Sequence, residues 1–289
     1  MASLQRFCFK GTLTKSLKAQ GDFCFAYRSY LPLFLLPMLL VVLLCFGQNL
    51  VIFDTQNLLQ DSTQNMQSYT YAYNKWLIWL SIVVGFIGEG IRMFVAGFAA
   101  RGTSGRNTKG QVADELNTTG AYSLCRNPLY LGNFLMMLAP VILLGNVLFV
   151  VIFVLAFWLY YERIIFAEES FLSAKFGSAY EEWANKTPCF LPDVNGFIKF
   201  IKPKLPLSIS TIIRKEFNSI YGLVCSLFFT HYIIAIFGYY ALSAKMRGGG
   251  GDIIAPDFVM SVLFIGSSVA YIVVRFLVKK TSVFASARV

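Results

Sequence analysis

Long apolar stretches separated by short polar segments dominate the chain from residue 31 onward. Five of them approach the roughly 20 residues that a helix needs to cross the hydrocarbon core of a bilayer. They cover residues 31–53, 76–99, 129–165, 220–242 and 258–278. The third is too long for one crossing and contains Gly145-Asn146, which is a turn signal. We therefore predict about six transmembrane helices, with residues 129–144 and 147–165 forming a tight helical hairpin.

The composition supports a membrane location. Hydrophobic residues make up 56% of the chain and charged residues only 14%, whereas soluble domains carry about a quarter charged residues. This excludes an ordinary soluble enzyme, a disordered protein and a disulfide scaffold. The six cysteines include no CxxC pair, so we predict neither a metal site nor an iron–sulfur cluster. The predicted fold class is an all-α integral membrane protein.

The net charge of +10 reflects membrane topology. With the N-terminus inside, 21 of the 25 Lys and Arg residues fall in cytoplasmic segments, three fall outside, and Arg92 lies within a span. This asymmetry is the positive-inside signal and predicts cytoplasmic N- and C-termini. No nucleic-acid-binding motif accompanies the charge, so nucleic acid is not a predicted partner.

The predicted spans divide the chain into three regions. Residues 1–75 hold a basic N-terminal segment, the first span and an outer loop, and no cleavable signal peptide is evident there. The N-terminal segment either lies along the membrane surface or is unstructured. Residues 76–192 form a core that carries the polar motifs. Residues 193–289 form a basic linker and two C-terminal transmembrane helices.

The first polar motif surrounds the start of the predicted hairpin. Pro128 suits the first turn of a helix, which places Arg126 and Asn127 at its N-terminal mouth, where free backbone N–H groups favour anions. Tyr130 and Gly132 line the first turn and allow a ligand to approach. Taken alone, this motif would be explained first by Arg126 as a basic residue that flanks a span. In the preceding span, Glu89 and Arg92 share a helix face as either a structural or a functional ion pair.

The second polar motif follows the hairpin. Apolar side chains recur every three to five residues and predict an amphipathic helix that leaves the membrane on the cytoplasmic side. They are Phe171, Leu172, Phe176, Tyr180 and Trp183. The carboxylates of Glu181 and Glu182 are expected to face solvent. Glu168 and Glu169 lie nearer the bilayer, where an ionised carboxylate needs a partner.

Together the two motifs resemble the isoprenylcysteine carboxyl methyltransferase and phospholipid methyltransferase superfamily. The first reads Arg126-Asn127-Pro128-Leu129-Tyr130-Leu131-Gly132 and the second runs from Glu168-Glu169 through Phe176-Gly177 and Tyr180 to Pro192. The resemblance covers roughly residues 85–192 and implies an integral membrane enzyme that transfers the methyl group of S-adenosylmethionine to a lipid-like acceptor. The loops at residues 103–108 and 116–122 are similar to those of bacterial inner-membrane members, including the enzyme that methylates the 1-phosphate of lipid A.

The resemblance also implies the cofactor-binding residues. They are Tyr122, Arg126, Asn127, Pro128, Tyr130, Leu131, Gly132, Glu168 and Glu169. The two glutamates are expected to bind the ribose and amino groups of S-adenosylmethionine. Asn127 stands where other members have histidine, and its amide can still form hydrogen bonds.

The scarcity of histidine favours an acceptor that is already anionic. The single histidine, His231, is far in sequence from both motifs, so an imidazole base at the site is not expected. A lipid phosphate or carboxylate would need a basic partner, and we predict Arg92, Arg106 and Arg163 for this role. A lipid or lipidated acceptor would enter from the bilayer.

Two other functions remain open at this stage. A membrane sterol reductase that uses NADPH shares part of the pattern, and a non-enzymatic transporter would account for the two C-terminal spans. If the chain is instead a methyltransferase, those spans shape an acceptor groove or form a homodimer contact.

Overall fold

The computed structural model describes residues 12–30, 75–98, 113–145, 147–192, 200–245 and 258–281. Within these ranges every regular element is helical, which confirms the predicted all-α class. The helices are α1 (Leu13–Tyr27), α2 (Lys75–Phe98), α3 (Pro128–Leu143), α4 (Val147–Phe176), α5 (Ser178–Ala184), α6 (Ile209–Lys245) and α7 (Phe258–Lys280). Short 3-10 turns occupy Arg28–Tyr30 and Gly120–Ser123.

Helices α2, α4, α6 and α7 are long and apolar enough to cross a membrane. Helix α3 is apolar but has only 16 residues, so at about 1.5 Å per residue it is shorter than the hydrocarbon core. The predicted span at residues 31–53 lies outside the described residues. The chain is thus an integral membrane protein, and the number of six spans stays a prediction.

The predicted hairpin is present as α3 and α4. Helix α3 begins at Pro128, as the proline predicted. Gly145 adopts a φ of 69° in the turn between α3 and α4, where the turn signal was predicted. Helix α4 then continues to Phe176 because its sequence contains neither glycine nor proline. The predicted amphipathic helix is therefore the end of α4 followed by the short α5, and Gly177, with a φ of 54°, separates the two.

Glycines allow α2 and α3 to pack closely in antiparallel orientation. A Cβ atom added to Gly88 would lie 2.6 Å from the Gly132 carbonyl oxygen. A Cβ atom on Gly85 would lie 2.9 Å from Leu223 of α6 and 3.1 Å from Ala139 of α3. The glycines of α2 are therefore explained by helix packing, as in other membrane helix pairs.

Replacing Gly88 with alanine is expected to lower the free energy of unfolding by about 1–3 kcal/mol, because overpacking forces the two helices apart. Gly90 is the matched control, since a Cβ atom there meets nothing within 4 Å. Gly90→Ala is expected to leave stability unchanged or raise it through helix propensity. The measurement is denaturant unfolding in detergent followed by tryptophan fluorescence, and equal midpoints for the two variants would contradict the packing argument.

The N-terminal segment forms a helix that packs antiparallel to α4. Gly21, Cys24 and Phe25 are buried, and the Tyr160 hydroxyl donates a hydrogen bond of 2.8 Å to the Cys24 carbonyl. Neither sequence interpretation of this segment anticipated a packed helix. The contact forms because Gly21 lets the backbone of α1 approach that of α4 beside Ala167.

Helix α6 begins at Ile209, 11 positions before the span predicted from hydropathy at residue 220. Ser208 caps it, because its hydroxyl accepts a hydrogen bond of 3.3 Å from the Thr211 N–H. The first turns carry polar side chains that hydropathy excludes from a span, yet Glu216 is only 1% exposed. These turns pack against α2, where that glutamate finds an arginine partner.

Candidate active site

The structure brings the two sequence motifs together through an ion pair. Arg126 Nη2, before α3, lies 2.8 Å from Glu169 Oε1 in α4. Arg126 Nη1 also donates a hydrogen bond of 2.7 Å to the Ala184 carbonyl at the end of α5. A single guanidinium thus joins the start of the hairpin to the helices that follow it, and the fork of an arginine suits this double contact.

The segment after α5 folds back over the start of α3. The Arg126 N–H donates to the Pro188 carbonyl at 2.9 Å, and Asn127 Nδ2 donates to the Cys189 carbonyl at 3.0 Å. Phe190 anchors the segment, because its ring packs 6.3 Å from Phe157 in the aromatic core of the hairpin. Asn127 therefore holds this segment with its side chain and forms no side-chain cap on α3.

Glu168 lies beside the tyrosines of the first motif. It forms a side-chain hydrogen bond with Tyr130, whose buried ring packs edge-on against Tyr161 at 4.9 Å. Tyr122 is within electrostatic reach of the same carboxylate. Burial and then the Glu168 charge raise the pKa of Tyr122, so this phenol stays neutral.

Arg28 is a site-facing residue that the sequence did not single out. Its guanidinium lies 3.8 Å from the centre of the Phe25 ring, and its charge acts on Glu168 and Tyr130. It reaches them because α1 packs on α4. From the sequence, Arg28 counted only as one of many cytoplasmic basic residues, so a prediction of α1 as a packed helix would have been needed to find it.

Two thiols border the Arg126–Glu169 pair and are held in the neutral form. Burial raises the pKa of Cys125 to about 12. Burial and then the Glu169 charge also raise the pKa of Cys189. A thiol needs a lowered pKa to act as a nucleophile at neutral pH, so neither cysteine is suited to covalent catalysis.

Two buried donors at the site have no hydrogen-bond partner among the described residues. They are the N–H groups of Arg126 Nε and Trp183 Nε1. The Tyr180 phenol adjoins Arg126 and Glu169, and burial followed by the Glu169 charge raises its pKa. Buried donors without partners are costly, which makes this cluster a candidate ligand site.

The other predicted cofactor-binding residues serve helix packing in this structure. Pro128 is buried at the first turn of α3, and Leu131 lies in the hydrophobic core. A Cβ atom on Gly132 would lie 2.7 Å from Arg92 Cγ and 2.8 Å from the Gly88 carbonyl oxygen. The small size of Gly132 is thus required by α2, and a role for these residues in cofactor binding stays a prediction.

Two of the three predicted acceptor-binding arginines are found at helix contacts. Arg92 Nη2 lies 2.8 Å from Glu216 Oε2, whereas the expected partner Glu89 is 3.9 Å from Arg92 Nε. Arg163 Nε donates to Gln20 Oε1 of α1 at 3.0 Å. Arg106 lies outside the described residues. Their proposed contact with an acceptor stays a prediction.

Comparison with known proteins identifies the segment that contains this site. Residues 77–179 match the sequence profile of the phospholipid methyltransferase family. A nickel-cobalt-cadmium resistance protein, NccN, of Alcaligenes xylosoxydans xylosoxydans is 32% identical over 42% of this chain and 54% of its own length. The protein-S-isoprenylcysteine O-methyltransferase of Schizosaccharomyces pombe is 36% identical over 27% of this chain and 33% of its own length. The Xenopus laevis enzyme of that name is 33% identical over 42% of each chain.

These matches span about half of the relatives' lengths or less. No solved structure matches the chain. The profile match at residues 77–179 includes both members of the Arg126–Glu169 pair. Residues 77–179 are thus similar to the phospholipid methyltransferase family, and the isoprenylcysteine O-methyltransferases are among the similar proteins.

Proposed function

We propose that this chain is a membrane-embedded methyltransferase that uses S-adenosylmethionine to methylate an anionic oxygen of a lipid-like acceptor. The observation that carries the proposal is the convergence of the two motifs, in which Arg126 pairs with Glu169 beside the Tyr130–Glu168 contact. All four residues lie within the segment that matches the phospholipid methyltransferase family. The relatives named as isoprenylcysteine O-methyltransferases support the same reaction class.

The polar groups of the site fit this cofactor. S-adenosylmethionine carries a carboxylate, an ammonium group and a ribose diol. The buried N–H groups of Arg126 Nε and Trp183 Nε1 have no acceptor among the described residues and could donate to the cofactor. The carboxylates of Glu168 and Glu169 could accept hydrogen bonds from its ammonium group or diol. When bound, the cofactor would supply an electrophilic methyl group on its sulfonium sulfur.

The task of the protein is then to position the reactants and exclude water. The Arg126–Glu169 pair holds the segment before α3 against α4, and the Phe157 and Phe190 rings of the aromatic core would exclude water beside it. Positioning of this kind accounts for large rate accelerations in bimolecular displacements. An anionic acceptor oxygen needs no base, which agrees with the neutral thiols of Cys125 and Cys189.

Among anionic acceptors we favour a lipid phosphate such as the 1-phosphate of lipid A, ahead of a prenylcysteine carboxylate or a phospholipid headgroup. This acceptor fits a multi-pass protein of a bacterial inner membrane that has its site and both termini on the cytoplasmic side. The one-sided distribution of Lys and Arg supports this orientation. Arg106 and Arg163 are the proposed contacts to the acceptor anion.

Calorimetry on the detergent-purified protein tests the cofactor. S-adenosylmethionine and S-adenosylhomocysteine are expected to bind with micromolar dissociation constants, and NADPH is expected not to bind. Incubation with methyl-labelled cofactor should then add one methyl group to a lipid phosphate more readily than to a farnesylcysteine analogue. Binding of NADPH in place of S-adenosylhomocysteine would overturn the methyltransferase proposal, and preferred labelling of farnesylcysteine would overturn the favoured acceptor.

A further inference from the structure

A buried polar cluster joins α6 to α2 and α3. We define the polar cluster as Glu89, Arg92, Asn133, Glu216 and Ser219. Arg92 donates to Glu216 Oε2 from Nη2 at 2.8 Å and from Nε at 3.2 Å, and to the Asn133 side-chain oxygen from Nη1. Ser219 of α6 donates to Glu89 at 2.9 Å. Both glutamates are 1% exposed, so the cluster lies buried between the packed helices.

The cluster continues directly into the candidate active site. Asn133 Nδ2 donates to the Tyr161 hydroxyl at 3.4 Å. Tyr161 packs edge-on against Tyr130 at 4.9 Å, and Tyr130 is hydrogen-bonded to Glu168. Side-chain contacts therefore run without interruption from Glu216 in α6 to the Glu168 carboxylate in α4.

The direction of each polar contact is fixed by chemistry. A guanidinium only donates, so Asn133 must present its carbonyl oxygen to Arg92 and its NH₂ group to Tyr161. Arg92 in turn is held by the Glu216 carboxylate through two N–H groups. If this carboxylate loses its charge, the guanidinium loses its strongest anchor, and both the Asn133 amide and the Tyr161 ring lose their fixed orientation.

We propose that Glu216 and Arg92 are positioning residues that act on the cofactor site through Asn133 and Tyr161, a proposal that rests on the proposed methyltransferase function. Glu216 lies outside the matched residues 77–179. Helix α6 thus contributes to the site through this contact. In this arrangement Arg92 acts on the side of the site formed by Tyr161, Tyr130 and Glu168.

Glu216→Gln tests the proposal, because glutamine keeps the size of glutamate and removes its charge. We expect about five-fold weaker binding of S-adenosylhomocysteine in calorimetry, with the thermal midpoint in detergent close to that of the wild type. Thr230→Val is the matched control, since Thr230 is a buried polar residue of the same helix, 1% exposed, and lies 14 positions further along. It should leave the affinity unchanged.

Two further variants separate positioning from simple helix attachment. Asn133→Ala leaves the Arg92–Glu216 pair intact but removes the link to Tyr161, so it should weaken binding as much as Glu216→Gln. Tyr161→Phe removes the hydroxyl that Asn133 contacts. Combined with Glu216→Gln, it should weaken binding no further than the stronger single change, because residues of one network are not additive.

The outcomes are distinguishable. If the wild-type protein does not bind S-adenosylhomocysteine, the proposed function fails and the positioning proposal falls with it. If the wild-type protein binds but Glu216→Gln and Asn133→Ala bind equally well, the positioning proposal alone is overturned. It is also overturned if the effects of Glu216→Gln and Tyr161→Phe multiply.

Discussion

Replacing Arg126 with alanine is expected to weaken S-adenosylhomocysteine binding by about 100-fold. The change removes the 2.8 Å contact to Glu169 and the 2.7 Å hydrogen bond to the Ala184 carbonyl. Hydrogen bonds that involve a charged group contribute about 1.5–3 kcal/mol each, and about 1.4 kcal/mol corresponds to a factor of ten in affinity. The loss of two such contacts therefore leaves Glu169 unpaired and the two motifs disconnected. Calorimetry at constant detergent concentration measures the effect.

Two control variants make this result specific. Lys186→Ala removes an exposed cation close in sequence to the same segment and should leave binding unchanged. Arg126→Lys keeps the charge, but a single ammonium cannot reproduce the forked contact to Glu169 and Ala184. We expect it to bind with an affinity between those of the wild type and the alanine variant.

A charge exchange then distinguishes a cofactor contact from a purely structural ion pair. The double variant Arg126→Glu and Glu169→Arg can restore the attraction between α4 and the segment before α3. If the pair only holds the fold, this exchange should recover binding. We expect a folded protein that still does not bind, and full recovery of affinity would show that neither side chain touches the cofactor.

The sequence predicted those parts of the fold that depend on local signals. Pro128 and Gly145 act within their own turns, so the start of α3 and the break before α4 were located correctly. The close packing at Gly88 depends on the same kind of local signal, because small residues on an apolar helix indicate contact with another helix. Each of these features is encoded within a few adjacent positions.

Features that depend on tertiary contacts could not be found in this way. The main partner of Arg92 is Glu216, 124 positions away, whereas helix spacing pointed to Glu89. Glu216 lies in the polar first turns of α6, which hydropathy left outside the predicted membrane helix. Arg28 reaches the site only because α1 packs on α4. Charged residues that are paired across helices lower the hydropathy of a segment without preventing its burial.

The candidate site was predicted as a set of residues without its internal contacts. The motifs identified Arg126, Glu168 and Glu169, and the structure brings all three together. The spacing of the motifs did not indicate that Arg126 pairs with Glu169, whereas Glu168 interacts with the tyrosines. Cys189 was also missed as a neighbour of the pair, because the segment that carries it returns to the site only through the packing of Phe190.

Replacing Glu168 with alanine should abolish measurable cofactor binding, a loss of more than about 100-fold, while the helices stay folded. This carboxylate interacts electrostatically with Tyr122, Tyr130 and Arg28. An ammonium group or diol bound beside Tyr130 would therefore lose a charged partner in this variant. Calorimetry with S-adenosylhomocysteine measures the affinity, and the thermal midpoint in detergent reports the fold.

Three comparisons decide whether the Glu168 carboxylate itself binds the cofactor. Glu162→Ala changes an exposed glutamate of the same helix and should bind like the wild type. Glu168→Gln keeps the hydrogen bond to Tyr130 without the charge, so we expect it to bind at least ten-fold more weakly, in line with the loss of about 1.4 kcal/mol from a charged hydrogen bond. Tyr130→Phe removes that hydrogen bond but keeps the carboxylate and should lower affinity only a few-fold. If Tyr130→Phe and Glu168→Ala weaken binding equally, Glu168 acts only by holding the tyrosine, and the cofactor contact must be assigned to Glu169.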